Sequence, residues 1–323
     1  MNNIDDYSKN NIDGYTITKS YINNNSDIDK YTKDEIINEM NILARSFDIV
    51  RLVSPCKCHI IRNASDSDSS DTSFTTSNCY DVWNVPYQCV NCTSARALLT
   101  SQTQSKLDTV DNDVFQITSR PVLVDGIPLV LEIVRHFSYT YNRYSSFSAK
   151  QKLINIIKTL NSQLLLDKET QAYNRDYLAE HLPNLLYTAK KTHQSNTALI
   201  HIQHLYDITQ SEGSMAASGI ICSLYSLLKQ LFSDETDIGL IFVRYSPDTF
   251  FVLESKLDYK NFCRRIESLP DKAMPKHLLF NNKRLPFDIN IACADLGNEN
   301  INTESELFDI LKTRLEDTQN IQK

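Results

Sequence analysis

Cysteines cluster in the N-terminal third of the chain at a spacing that suits a metal centre. Cys89 and Cys92 form a C-x-x-C pair, Cys79 comes ten residues before it, and Cys58, with Cys56 as its substitute, lies on an earlier strand pattern. Four thiolates around Zn²⁺ make a closed, structural tetrahedral site. The same ligands suit an iron–sulfur cluster, and the C-x-x-C pair alone suits a reversible disulfide. The remaining alternative is a set of ordinary reduced thiols, so the sequence predicts structural zinc or no cofactor.

A second polar group lies in VRYSPDTFFVL, residues 243–253, where two apolar stretches flank a short turn. The turn contains Ser246, Pro247, Asp248 and Thr249. Asp248 is its single carboxylate, whereas Mg²⁺ prefers several hard oxygen ligands in octahedral geometry. Proline also removes a backbone N–H and fixes φ, which suits a plain turn but crowds an approaching phosphate. We therefore do not expect magnesium at this hairpin.

Two histidines, His201 and His204, lie in or just after the strand pattern of residues 198–202. A histidine pair can bind a transition metal. We favour the simpler interpretation, in which both are strand-end residues.

Length and composition limit the class of protein. The chain has 323 residues, 41% of them apolar, which is enough for two domains with real cores. The net charge is −7 without a long basic run, so we predict neither a nucleic-acid nor a membrane partner. Only six glycines are present and neither G-x-G-x-x-G nor G-x-x-x-x-G-K-[ST] occurs, which argues against Rossmann and P-loop folds. The first residues, MNNIDDYSKNN, do not resemble a signal peptide, and we expect a cytoplasmic location.

The elements that would hold the cysteines form a small α+β domain at residues 31–143, after a disordered tail at 1–30. A capping box from Thr32 to Glu35 predicts a helix over 31–47. Two strand patterns, DIVRLVSP and CHIIRN, follow it, and Asp125-Gly126 joins two longer strands in a closing antiparallel hairpin.

A helical linker is predicted over residues 144–166, with its helix at about 147–166. Its apolar residues are spaced four, three and four apart, as are those of helix 31–47. The linker residues are Leu153, Ile157, Leu160 and Leu164. The pattern fits either a helix packed on its own domain or a parallel dimer stalk, and we predict a homodimer through helices 31–47 and 147–166. Strands alternating with helices then predict an α/β domain at 167–323.

Residues 165–315 resemble the GGDEF domain of diguanylate cyclases. DKETQAYNRDYL (167–178) resembles the family signature D-x-L-T-G-L-x-N-R-x-x-L, and VRYSPDTFFVL lies where the family has R-Y-G-G-D-E-F-x-V-L. The resemblance implies an α/β sandwich of the cyclase palm type. It also implies an enzyme that joins two GTP molecules into cyclic di-GMP with divalent metal ions.

The catalytic positions depart from the family pattern. His201 and Gln203 stand at the D-x-D of the metal strand, Ser246 and Pro247 replace the two glycines, and Thr249 replaces the second acid. Asp248 and Phe250 are retained. Phosphoryl transfer depends on charge neutralisation by metal ions, so loss of these carboxylates predicts a vestigial site.

The nucleotide-reading positions depart as well. Thr209 and Ser218 correspond to the guanine-reading Asn and Asp, and Asp237 and Leu240 fall at the inhibitory Arg-x-x-Asp. The resemblance therefore implies a degenerate domain that acts in cyclic-di-GMP-type signalling by binding a signalling protein or by dimerising. The alternatives are a divergent but active cyclase that uses Asp248, a nucleotide receptor without turnover, and a purely structural adaptor.

The first domain resembles a PAS sensor domain. DIVRLVSP is similar to its opening strand and RPVLVDGIPLVLEIV to its closing hairpin. CYDVWNVPYQCVNC (79–92) resembles a cysteine-containing PAS subgroup. This resemblance implies an antiparallel-sheet sensor upstream of the GGDEF-like domain.

Overall fold

The computed structural model shows two compact units. The structure describes residues 28–66, 77–137, 147–233, 239–269, 278–280, 283–285 and 288–321. One unit comprises residues up to 164 together with 179–187, and the other comprises residues 165–178 and 188–323. The change of unit after Leu164 lies close to the domain boundary expected from the sequence. The assignment of 179–187 to the first unit has no counterpart in that expectation.

The first unit contains six strands and three helices of its own among the described residues. The strands are β1 (Asp29–Tyr31), β2 (Ile49–Ser54), β3 (His59–Asn63), β4 (Gln104–Val110), β5 (Asp113–Val124) and β6 (Ile127–His136). The helices are α1 (Lys33–Leu43), α2 (Thr93–Thr100) and α3 (Phe147–Gln163).

These strands form one sheet in the order β1-β5-β6-β2-β3, with β4 also paired to β5. All pairs are antiparallel except β1 with β5. The predicted Asp125-Gly126 hairpin is present, and both residues have positive φ. Strand β4 was not predicted from the sequence. Its turn to β5 uses Asp111 and Asn112, again with positive φ at both positions.

The expected disordered tail ended at residue 30, and this boundary is wrong. Asp29–Tyr31 forms β1, which extends the sheet by pairing with β5, and Ile28 is buried. A backbone that completes a sheet edge is ordered by its ladder hydrogen bonds, whatever its local composition. The rest of the tail, residues 1–27, lies outside the described residues.

Helix α1 begins at the predicted capping box, with Thr32 as N-cap and Glu35 bonding back to it. Ile36 and Met40 are fully buried against β2, β5 and β6 in the core of the same unit. Leu43 and Phe47, the other apolar residues of this seam, pack partly buried on the same core. A homodimer through this helix stays a prediction.

Some apolar residues of the linker pattern in helix α3 pack on its own unit, and others are exposed. Ile154 and Ile157 are buried against Val114 of β5 in a small cluster that Leu153 joins. Leu160 and Leu164, the other half of the predicted seam, are 55% and 58% exposed. The helix therefore packs on its own unit at its first half and leaves an apolar stripe uncovered further on.

The second unit contains seven strands and five helices among the described residues. The strands are β7 (Tyr173–Asn174), β8 (Asn196–Ile202), β9 (Leu240–Ser246), β10 (Thr249–Glu254), β11 (Leu278–Phe280), β12 (Lys283–Leu285) and β13 (Ile289–Asp295). The helices are α4 (Arg175–Thr192), α5 (Leu205–Glu212), α6 (Ser214–Leu231), α7 (Tyr259–Glu267) and α8 (Glu304–Ile321). Residues 179–187 of α4 are counted with the first unit.

The main sheet has the order β13-β8-β10-β9-β7, and strand β10 lies at its centre with every residue buried. Phe250 and Val252 face a core formed with α5, α6 and α7. Phe251 faces the other side, where its ring centroid lies 5.9 Å from that of Phe308 on α8. Helices therefore cover both faces of the sheet, as the α/β pattern predicts. Among the described residues, no helix is long and apolar enough to cross a membrane.

Candidate functional sites

The first candidate site is the β9–β10 hairpin, where Pro247 and Asp248 form the turn between Ser246 and Thr249. Thr249 pairs with His201 on the neighbouring strand β8. The fold therefore brings together the predicted hairpin and the first position of the predicted metal strand. No positive φ occurs at Ser246 or Pro247, so this turn does not need the glycines that the family signature has there.

Asp248 is held by side chains of its own hairpin. Its Oδ1 atom accepts hydrogen bonds from Ser246 Oγ at 2.6 Å and from Thr249 Oγ1 at 2.9 Å. Partial burial opposes ionisation, but these two bonds outweigh it and hold the pKa of Asp248 below its ordinary value. His201 Nδ1 lies 3.7 Å from the same oxygen and 3.2 Å from Thr249 Oγ1. Asp248 is thus ionised, and its Oδ1 atom already accepts hydrogen bonds from two hydroxyls of its own turn.

Arg244 closes the turn from the other side. Its guanidinium donates to the carbonyl oxygen of Pro247 at 2.6 Å and to that of Ser246 at 3.2 Å. It also forms an ion pair with Glu169 at 2.7 Å, and Asp167 lies 3.7 Å away. These two acids precede α4, and their negative charges are directed at the Arg244 guanidinium.

The other predicted positions have separate roles. Gln203 donates to the Asn290 side chain on β13, and His204 contacts Asp207 at 3.1 Å on the exposed start of α5. His201 and His204 therefore engage different partners and do not act as a pair. Phe250 is fully buried and stacks on Tyr225, 5.9 Å between centroids, so it belongs to the core.

The guanine-reading positions carry short hydroxyl side chains. Thr209 donates to the Leu205 carbonyl of its own helix at 2.8 Å. Ser218 lies half-buried on α6, and Leu240 begins β9. Asp237 lies outside the described residues. Neither Thr209 nor Ser218 has the amide or carboxylate that could pair with a guanine edge, and Leu240 lacks the carboxylate of the inhibitory signature.

The second candidate site is the cysteine cluster of the first unit. Cys58 and Cys79 are joined by a thiol–thiol hydrogen bond, and Cys89 and Cys92 interact electrostatically with both. Burial, together with the neighbouring Cys79 thiol, raises the pKa of Cys89 to about 12, despite the opposing effect of a nearby lysine. Cys56 differs, because its thiol donates to the carbonyl oxygen of Pro183 at 3.5 Å. Within the described ranges, no three or more His, Cys, Asp or Glu side chains are already arranged as a metal-binding group.

A buried charge network next to this cluster was not foreseen. Arg51 on β2 is 1% exposed and donates to Glu132 on β6 at 2.6 Å, while Ser94 of α2 donates to the other carboxylate oxygen at 2.9 Å. Trp83 lies over the guanidinium, 5.6 Å from its ring centroid. Each charge interrupts an otherwise apolar strand, and this is the signal in the sequence that could have indicated a buried pair.

A third group lies in the second unit, where Cys263 of α7 hydrogen-bonds Cys293 of β13. This bond, with one from Tyr259, outweighs burial and lowers the pKa of Cys263 to about 7. Both cysteines are half-buried at the edge of the core.

Comparison with known proteins defines the class of the second unit. Residues 164–317 match the model of the family described as "Diguanylate cyclase, GGDEF domain", so the chain contains a GGDEF domain with its mixed α+β, cyclase-like fold. This confirms the resemblance drawn from the two signatures. No protein of curated function matches the chain.

Three solved structures are among those similar to the chain. The FimX GGDEF domain from Pseudomonas aeruginosa is 16% identical, covers 48% of this chain and 93% of its own, and has a TM-score of 0.39. The diguanylate cyclase SiaD in complex with its activator SiaC, also from P. aeruginosa, is 13% identical over 57% and 66%, with a TM-score of 0.44. The coiled coil and GGDEF domain of DgcB from Caulobacter crescentus, in complex with c-di-GMP, is 12% identical over 57% and 95%, with a TM-score of 0.47. With TM-scores below 0.5 and identities of 12–16%, these likenesses assign neither a fold nor an activity to this chain.

Proposed function

We propose that this protein is a signalling protein whose GGDEF domain does not synthesise cyclic di-GMP and acts by binding a partner or by self-association. The observation that carries this proposal is the state of Asp248. It is the one carboxylate left at the four acidic positions of the signatures, and two hydroxyls of its own hairpin occupy one of its oxygens.

Synthesis of cyclic di-GMP is not expected because the hairpin lacks most of the negative charge that would hold the metal ions. Two divalent ions beside a triphosphate require several oxygen ligands fixed in the protein. At this hairpin the neighbouring positions offer an imidazole at His201, an amide at Gln203 and a hydroxyl at Thr249. A single carboxylate gives a divalent ion little affinity and no fixed geometry.

The test is incubation of the purified full chain with GTP and Mg²⁺ or Mn²⁺, with cyclic di-GMP detected by mass spectrometry. We expect no product above a protein-free control. Product that disappears in Asp248→Ala but persists in Asp207→Ala, a matched change of an exposed carboxylate on α5, would establish the alternative, a divergent active cyclase. Calorimetric titration with GTP and with cyclic di-GMP checks whether the domain is a receptor without turnover.

The first unit is proposed to be the sensor that controls this domain. A helix, two strands, a cysteine-bearing middle segment and a closing antiparallel hairpin support the PAS-like assignment. The order of these elements along the chain agrees with the resemblance in the sequence.

Self-association is proposed to use the exposed apolar stripe of α3. Ile156, Leu160 and Leu164 are spaced four residues apart on one face and are 55%, 55% and 58% exposed. A second copy of the same helix would cover this stripe with a matching one, as in a short coiled coil.

Sedimentation of the full chain tests this interface. Leu160→Glu should shift a dimer to monomer, whereas Lys158→Glu, an exposed change two residues away on a polar face, should leave it unchanged. A wild-type protein that stays monomeric at the highest soluble concentration contradicts the stalk.

A further inference from the structure

The backbone brings Cys58 and Cys79 close together next to the start of β3. The Cys79 N–H donates to the Cys58 carbonyl oxygen at 2.7 Å, which holds the two residues side by side. Cys58 has a φ of 55°, an unusual value for a residue other than glycine. It ends the tight Pro55–Cys58 turn, in which its thiol donates to the Pro55 carbonyl oxygen at 3.4 Å. A strained backbone that presents a buried thiol beside a second thiol is a feature to be explained.

Cys89 and Cys92 are the other two cysteines of this cluster. Cys92 is the N-cap of α2, and its sulfur accepts a hydrogen bond from the Ala95 N–H at 3.4 Å. Burial raises the pKa of the Cys92 thiol, and the Ala95 N–H at the positive end of the helix opposes this rise. His181 fixes the backbone of Cys89 by contacting its carbonyl oxygen at 3.1 Å, and Glu180, itself paired with Arg96, accepts from the Cys92 N–H at 3.0 Å.

A buried cation provides an independent observation. Lys106 of β4 reaches into this region, where its ammonium donates to the Asn91 carbonyl oxygen at 2.5 Å and forms an ion pair with Asp108 at 2.6 Å. It also interacts electrostatically with Cys89 and Cys92. A lysine side chain is rarely buried without negative charge nearby, and Asp108 alone is partly exposed to solvent.

We propose that Cys58, Cys79, Cys89 and Cys92 bind one structural Zn²⁺ ion as four thiolates. Binding releases four protons, one from each thiol, and leaves a centre with a net charge of −2 that Lys106 and the N-terminus of α2 partly compensate. Within the described ranges the four thiols are not already arranged as a metal-binding group, so the proposed binding requires a local rearrangement of their side chains. The site is closed, since no fifth ligand is required, and it would brace residues 79–92 against the sheet.

Metal analysis of the full chain, purified without chelators, tests the proposal. We expect about one zinc ion per chain. Serine substitution of any of the four ligands should reduce the zinc content at least tenfold. Cys56→Ser, two residues from a proposed ligand, and Cys222→Ser, in the other unit, are the matched controls and should retain it. Zinc that survives Cys58→Ser but is lost in Cys56→Ser would overturn the ligand set.

A second measurement is independent of whether the variants fold. In the wild-type chain, a strong chelator should make four further thiols reactive to a thiol reagent. Cobalt substitution should give the intense visible absorption of tetrahedral thiolate coordination. Absence of zinc, iron with acid-labile sulfide, or a mass deficit from a Cys89–Cys92 disulfide would each refute the zinc centre. None of these outcomes depends on whether the GGDEF domain makes cyclic di-GMP, so the two proposals fail separately.

Discussion

Replacement of Asp248 by asparagine tests whether this residue stabilises the hairpin or binds a metal. The side chain keeps its shape, but the acceptor loses its charge. Two hydroxyls donate to one carboxylate oxygen, at 2.6 and 2.9 Å. Hydrogen bonds to a charged group contribute about 1.5–3 kcal/mol each when water is excluded. Because the Asp248 side chain is 40% exposed, water competes for the same oxygen, and we expect a loss of about 1–2 kcal/mol in total.

The pH dependence follows from the lowered pKa of Asp248 in the folded state. A group with a depressed folded-state pKa contributes stability that is fully present above its unfolded pKa of about 3.9. That contribution is lost as the pH falls through the folded-state pKa. The difference in free energy of unfolding between the wild type and Asp248→Asn should therefore be constant near neutral pH and approach zero in strong acid.

Urea unfolding followed by circular dichroism measures this difference. The fluorescence of the single tryptophan, Trp83, reports the first unit separately and should not change. Asp207→Asn, on the exposed face of α5, is the matched control and should change stability by less than about 0.5 kcal/mol. The interpretation is refuted if Asp248→Asn is equally neutral. It is also refuted if Mg²⁺ stabilises the wild type but not this variant, since ligand binding to the folded state alone would then require Asp248.

Three further predictions concern other parts of the chain. Glu132→Ala leaves Arg51 as a buried charge without its carboxylate, so it should lower the free energy of unfolding by about 3–5 kcal/mol. The double change Arg51→Met, Glu132→Leu should recover most of this loss. Urea unfolding followed by tryptophan fluorescence measures both variants, and equal losses would contradict the pairing. The reaction of Cys263 with iodoacetamide should have its midpoint near pH 7, because the lowered pKa of Cys263 makes the thiolate abundant at neutral pH. Cys263 should also react faster than Cys222, whose pKa is raised by burial. Peptide mass spectrometry across a pH series measures both rates. Thr32→Ala removes the N-cap of α1 and should cost about 1 kcal/mol, while Thr32→Ser should cost little.

Local signals in the sequence carried much of the fold. The capping box at Thr32 and the Asp125-Gly126 turn act through neighbouring residues, and both appear where they were predicted. Strand β4 was missed because its pattern is mostly polar, and its Asp111-Asn112 turn is a weaker signal than one with glycine. The strand at Asp29–Tyr31 was missed because its order comes from a partner nearly a hundred residues away.

For the candidate sites as well, some features follow from the sequence and others only from the tertiary structure. The sequence by itself determined that the hairpin keeps a single carboxylate and no glycine, because the identity of a side chain fixes its charge and its φ range. It also determined that four cysteines were available as ligands. Only the tertiary structure decided that the hydroxyls of Ser246 and Thr249 occupy Asp248, that Cys58 rather than Cys56 lies beside Cys79, and that Lys106 is buried near them. These facts depend on which strands pair and in which register, and pairing between distant segments is set by the packing of the whole core and not by any local pattern.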